Sequence, residues 1–256
     1  MSLKINLKLL FLTFISSLYA ETKVIDEKQI VPDTKIDVEA LHRKLDNQIF
    51  LSKNLVPKNY IQTAETNGDL NADGINDFAI LIKPVPEKAK KNKDGSVDLT
   101  GLYYDLPQVV LIYLGQKDGK YKFWKLGDSH FIYSSTNLAS EDGVSVFKIS
   151  NGVLTMATAP NLSFGVFYDL GCTQKWRINK LEFQLIGLTK ENMNNLNNCS
   201  EKVDINYLSG DKIVKFSSVP TNDLCKQNHK IIKSKSKVDA VFWDKFNYEL
   251  FCAGEN

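Results

Sequence analysis

Hydrophobic positions along this 256-residue chain follow two periods. Val38, Leu41, Leu45 and Ile49 recur at spacings of three and four, which predicts one face of a short amphipathic helix, with Asp37 placed as its N-cap. Pro57 stops any continuation. Beyond it the pattern is that of strands. Tyr60-Ile61 begins one. Phe78 to Lys83 and Val109 to Leu114 are apolar runs of buried-strand length, and Tyr121 to Lys125 alternates after the turn at Asp118-Gly119. Val144 to Ile149 and Val153 to Ala157 flank Asn151-Gly152, a strong two-residue hairpin signal. Phe164 to Tyr168, Lys175 to Ile178, Leu181 to Leu188, Val203 to Tyr207 and Lys212 to Phe216 complete the series. Breaks are expected at Gly171, at Asn179-Lys180, in an Asn-rich insert from Glu191 to Asn198, and at Ser209-Gly210-Asp211.

Short strands at even spacing predict a mainly β fold: one or more antiparallel meander sheets, a short N-terminal helix and an irregular, disulfide-containing C-terminal segment. Residues 84–106 carry prolines and a lysine run (Lys88, Lys90, Lys91, Lys93) and read as a long solvated loop. Residues 36–256 are expected to form a single β-rich domain, with 220–256 as a C-terminal extension packed on it. Within that extension Ile231-Ile232 sits among lysines, and Val241 to Phe251 is aromatic-rich, compatible with helix or strand.

The N-terminus changes the setting. Lys4 and Lys8 precede an apolar run from Leu9 to Leu18, and Tyr19-Ala20 precede the polar Glu21. That order is the layout of a secretory signal peptide over residues 1–20, followed by a polar extended arm over 21–35. The run is too short to span a bilayer. The expected location is periplasmic or secreted, with no transmembrane segment after cleavage. Removing residues 1–20 takes away two lysines and no acid, leaving 30 basic against 30 acidic residues. A neutral domain has no global field for nucleic acid or an anionic membrane, which argues against a nucleic-acid partner.

Export also changes how the four cysteines read. Cys172, Cys199, Cys225 and Cys252 form an even set in an oxidising compartment, which predicts two disulfides. Three pairings exist. Cys172–Cys199 with Cys225–Cys252 is the expected one, because each closes a local loop. No CxxC pair suggests zinc.

The candidate chemistry lies in Asp69-Leu70-Asn71-Ala72-Asp73-Gly74-Ile75-Asn76-Asp77. Asp69, Asn71 and Asp73 alternate, Gly74 permits a sharp turn, Ile75 offers a backbone carbonyl and Asp77 a further oxygen. This is the start of a calcium loop. An EF-hand needs a Glu at the twelfth position and a following helix. Here Ile80 stands there, inside an apolar strand, so the loop is of another kind. The same residues could build a turn rich in Asx bonds without an ion. The crowding of three carboxylates favours the ion, and calcium is the expected, structural cofactor.

The segment resembles the calcium loop of FG-GAP and VCBS-type repeats, with Phe78-Ala79-Ile80-Leu81 as the strand that follows. Tandem copies of such loops build propeller blades, whereas this chain carries one. More widely, the chain resembles a group of uncharacterised exported bacterial proteins. They combine a signal peptide, one such loop and a β-meander, here with Ile149 to Leu154, Leu185 to Gly187 and Asn206 to Gly210. That resemblance implies no activity.

Other constellations are weaker. Gly127-Asp128-Ser129-His130 has the Gly-Asp-Ser order of GDSL-type esterases, but it lies mid-chain without a later Asp-x-x-His, and a turn explains it. His42, His130 and His229 are far apart. Trp124, Trp176 and Trp243 suit either a ligand groove or a sheet core, and the core is the commoner use. Lys230, Lys233, Lys235 and Lys237 suit a protected strand edge. Asn161-Leu162-Ser163 and Asn198-Cys199-Ser200 fit the glycosylation pattern. The expectation is a calcium-stabilised, non-enzymatic exported module that binds a protein or glycan ligand or associates with the envelope. The alternatives are an extracytoplasmic hydrolase with a dispersed site, or an inhibitor or immunity-type protein.

Overall fold

Twelve strands in two antiparallel sheets carry the chain, in a computed structural model that describes residues 36–85, 108–127, 146–158, 168–194, 199–218 and 230–253. The expected signal peptide and arm (residues 1–35), the lysine run of residues 88–93, Ser129, His130, His229, Cys225, Asn161 and Asn198 lie outside the described residues. Helix α1 spans Val38–Leu45 and begins where expected. The Asp37 carboxylate accepts the Ala40 N–H at 2.8 Å, and Leu41 and Leu45 are its buried face. Ile49 does not continue the helix. Asn47 adopts φ 58°, the chain turns, and Ile49–Phe50 form a short strand β1 with Ile49 exposed.

The first sheet contains β1, β2 (Tyr60–Gly68), β3 (Asp77–Pro84), β4 (Val109–Gly115) and β5 (Tyr121–Gly127), in the order β1-β5-β4-β3-β2. Its two central strands are apolar without alternation because both faces are covered. Ile80, Ile82, Val109, Leu111 and Tyr113 face α1, where Leu41, Leu45 and Leu55 meet them. Ala79, Leu81, Val110 and Ile112 face the second sheet.

That second sheet is a continuous meander of β6 (Val146–Ser150), β7 (Val153–Thr158), β8 (Tyr168–Asn179), β9 (Glu182–Asn194), β10 (Cys199–Asn206), β11 (Asp211–Ser218) and β12 (Ile231–Lys235). Two expected breaks are absent. Strand β8 runs through Gly171, which pairs with Glu191, and β9 extends through the first half of the Asn-rich insert because β8 and β10 both hydrogen-bond to it there. Strand β10 covers β9 only from Gly187 upward. Below that, the C-terminal segment takes the free edge: Leu185 donates to the Val241 carbonyl at 2.8 Å.

The inner face of the second sheet and the C-terminal segment build an aromatic core. Trp176 meets Trp243 edge-on at 4.9 Å and Phe246 at 5.2 Å, and Trp124 meets Phe183 at 5.4 Å. Trp124 reaches this core through a bulge, since Ile112 pairs with Lys125 but Tyr113 pairs with Phe123. The tryptophans therefore serve the core: Trp176 and Trp243 are fully buried. The C-terminal segment forms a 3-10 turn at Trp243–Lys245 and a π turn at Glu249–Ala253. The Trp243 indole N–H donates to the Leu126 carbonyl at 2.8 Å, and Lys125 pairs with Asp244 at 3.2 Å, so this segment ties β5 of one sheet to β9 of the other.

The expected cysteine pairing is overturned. Cys172 of β8 is bonded to Cys252, 80 residues later. Cys199 is also in a disulfide, so neither Cys172–Cys199 nor Cys225–Cys252 forms. Proximity in sequence misled because Tyr248, Phe246 and Trp243 dock the tail on β8 and β9. The Tyr248 and Thr158 hydroxyls share a 2.8 Å hydrogen bond beside that disulfide. Among the described residues no helix is long and apolar enough to cross a membrane.

Candidate functional site

The loop between β2 and β3 holds Asp69, Asn71, Asp73 and Ile75, four of the five residues expected to ligate a metal, and the fifth, Asp77, opens β3. Alternating Asx side chains fold it. Asp69 accepts the Gly74 N–H at 2.8 Å through one carboxylate oxygen and the Asp73 N–H at 3.2 Å through the other. Asn71 accepts the Asp73 N–H at 3.0 Å, and Asp73 accepts the Ile75 N–H at 2.8 Å. These bonds wind successive amides around three exposed or half-buried side chains, which is the mechanism of an Asx turn. Gly74 takes φ 81°, where a Cβ is strained, and Ala72 takes φ 62°.

Asp77 does something different from its neighbours. Its residue is fully buried, and its two carboxylate oxygens accept the Leu70 N–H at 2.7 Å and the Gly115 N–H at 2.9 Å. It thus pins both ends of the loop to the end of β4. Burial pushes its carboxyl above the ordinary value of 3.8. The Gly115 and Leu70 amides pull it back, and the charges of Asp73 and Asp69 add to the upward shift. The negative potential of the loop is thus felt at Asp77.

Gly115 is the residue that the motif does not name. A Cβ there would stand 2.3 Å from the Asn76 carbonyl oxygen and 2.7 Å from the Ile75 methyl, so the loop lies directly on the β4 backbone. Gly115→Ala should destabilise the fold by about 1–3 kcal/mol, because backbone must move to admit the methyl. A urea midpoint equal to wild type would show that the loop does not rest on β4. The only sequence signal for Gly115 was its place at the end of an apolar run. The Asn151-Gly152 turn also abuts the loop, with the Leu70 and Asp69 carbonyl oxygens 3.8 and 3.9 Å from a Cβ built on Gly152. The Ile149 N–H donates to the Thr66 hydroxyl at 2.9 Å alongside, so the loop sits where the two sheets meet.

The donor set fits a hard divalent cation in kind: oxygen only, from Asp69, Asn71, Asp73 and the Ile75 backbone. Asp77 spends both oxygens on backbone amides and acts as the anchor of the loop. Among the described residues no three His, Cys, Asp or Glu side chains gather into a preformed metal cluster, so an ion here would depend on the Asn71 amide oxygen and a carbonyl to complete its shell.

The remaining candidates do not converge on this loop. His42 lies on exposed helix surface, edge-on to the Phe123 ring at 5.5 Å. Lys230, Lys233, Lys235 and Lys237 are exposed on and around β12, the edge of the second sheet. A shallow groove on the outer face at the β9 bulge is lined by Lys175, Gly187, Asp204, Leu208 and Ile213. Asp204 there is already bonded to Thr189 at 2.8 Å and paired with Lys215 at 3.5 Å. Comparison with protein-family models, with curated proteins and with solved structures finds no match to this chain.

Proposed function

We propose that the protein is an exported, non-enzymatic binding module whose two-sheet body is clamped by calcium at the Asp69–Asp77 loop. The observation that carries this reading is the division of labour within the loop. Asp77 is buried and fastens the loop to β4, while Asp69 and Asn71 are half-buried and Asp73 is exposed, their oxygens accepting amides of the loop itself. A cation there would neutralise the charges that Asp69 and Asp73 impose on Asp77 and would hold the junction of the sheets. It would perform no redox or hydrolytic step. The binding role draws on the export signal and on the extended outer face of the second sheet.

Thermal unfolding of the mature chain in calcium and in EDTA tests the clamp. A loop of this class binds with a dissociation constant of roughly 10⁻⁴–10⁻³ M. At about 10 mM calcium that adds roughly 1.4–2.7 kcal/mol by mass action. The expected rise in melting temperature is roughly 3–10 °C, and Asp73→Ala should abolish it. Identical melts in calcium and EDTA, together with no heat of binding, would remove the ion from this account.

A further inference from the structure

Two hairpins on the same end of the second sheet use the same backbone turn with opposite chemistry. Between β6 and β7, Asn151 and Gly152 take φ 53° and 70°. These are the residues that a two-residue turn with both φ positive prefers. Between β8 and β9, Lys180 and Leu181 take φ 56° and 95°. Each left-handed non-glycine residue is disfavoured by roughly 1–2 kcal/mol. Leu181 recovers none of that inside the fold, because it is 85% exposed. The tip also projects: Val153, the first residue of β7, stands opposite Arg177, so β8 and β9 run past the neighbouring turn before they reach Leu181.

The sheet behind this tip carries four exposed basic residues. The register places Lys148, Thr155 and Lys175 in one cross-strand row of the outer face, with Arg177 in the next row toward the tip. Lys148, Lys175, Arg177 and Lys180 are all exposed. Among the described residues no ion pair involves any of the four. Glu182 stands across the turn from Asn179, and Asp204 and Asp211 line the groove that Lys175 also lines. On the other half of the same face Lys202 pairs with Glu191, Lys215 with Asp204 at 3.5 Å and Lys235 with Asp211 at 3.9 Å, while the exposed Lys233 beside them makes no ion pair among the described residues. Four exposed cations without an ion pair among the described residues therefore lie toward the Leu181 end of the outer face.

We propose that this end of the second sheet docks on an anionic lipid surface, with Leu181 entering the headgroup–acyl boundary and Lys148, Lys175, Arg177 and Lys180 facing the headgroups. The inference names a partner for the binding module proposed above and rests on that reading, but not on the ion. A bilayer suits the geometry better than a protein socket does. The leucine stands 85% exposed on a turn, and the cations are spread along β6, β8 and the turn, which matches a diffuse negative surface better than a point-to-point socket. Transfer of one leucine and the approach of several cations supply separate apolar and salt-sensitive contributions.

Co-sedimentation of the mature protein with vesicles of phosphatidylglycerol and phosphatidylcholine, against phosphatidylcholine alone, tests this. Binding is expected only to the anionic vesicles, weakening at least several-fold between 50 and 500 mM salt. Leu181→Gly should reduce it at least threefold while raising the melting temperature, since the glycine relieves φ 95°. The triple variant Lys148→Ala/Lys175→Ala/Arg177→Ala should remove the salt-dependent part. Equal binding by wild type and Leu181→Gly would overturn the proposal, as would no binding to anionic vesicles. Retention on an immobilised acidic polypeptide without vesicle binding would also overturn it, in favour of a protein partner. Each measurement is repeated in EDTA. Failure on vesicles with a calcium-dependent melt intact sinks the lipid surface and leaves the clamp standing. Vesicle binding without any calcium effect does the reverse.

Discussion

Asp77→Ala is expected to destabilise the folded chain by about 3–5 kcal/mol. The residue is fully buried and its carboxylate receives two backbone amides, from Leu70 and Gly115. A hydrogen bond to a charged group contributes roughly 1.5–3 kcal/mol, and a buried donor without an acceptor loses its solvation as well. Against a total stability of about 5–15 kcal/mol, that loss is large. Asp77→Asn should lie between the two, since its amide keeps one acceptor and turns an N–H₂ toward a donor. Urea denaturation monitored by tryptophan fluorescence measures both. A loss below about 1 kcal/mol for alanine would show that the loop is not anchored through this side chain. The pH dependence has a definite sign. A carboxyl raised above 3.8 in the folded state contributes stability that is fully present below 3.8 and is lost as pH rises through the raised value. This one residue therefore opposes the usual acid denaturation between those limits. Carboxyl-carbon titration by NMR should place its midpoint above 3.8.

The second large effect lies at the other end of the chain. Removing the Cys172–Cys252 bond by Cys172→Ala/Cys252→Ala should cost about 2–5 kcal/mol. The bond closes a loop with a sequence separation of 80, for which the chain-entropy estimate is about 4.5 kcal/mol. Both cysteines are buried, and the tail that they secure carries Trp243, Phe246 and Tyr248 into the aromatic core. Two readouts separate local from global loss. Amide exchange at Leu185, which donates to Val241, should accelerate before exchange in β3 and β4 does, because the tail leaves first. A melting temperature within about 1 °C of the oxidised wild type would show that core packing alone retains the tail.

Particular elements show what could be read in advance. The helix start at Asp37, the Asn151-Gly152 turn and the apolar strands β3 and β4 follow from local pattern, because capping, turn chemistry and burial act over a few residues. Ile49 misled because its spacing is helical while Asn47 turns the chain before it. Gly171 misled because a glycine often breaks a strand, yet β9 pairs across it. At the candidate site the alternating Asx residues were legible. The separate role of Asp77 was not, since the Gly115 amide that it binds arrives from a strand 38 residues away.

Sequence by itself determined the fold class, the position of the oxygen-rich loop and most strand identities, since each depends on side-chain period or on turn residues close in the chain. Only the tertiary structure decided which cysteine meets Cys172, which face of each central strand looks at α1 and which at the second sheet, and that Asp77 anchors rather than fronts the loop. It also showed that Lys148, Lys175, Arg177 and Lys180 stand exposed toward one end of the second sheet, with Leu181 at the tip. Those outcomes rest on long-range register and packing, in which residues scores of positions apart become neighbours through the cores that they share.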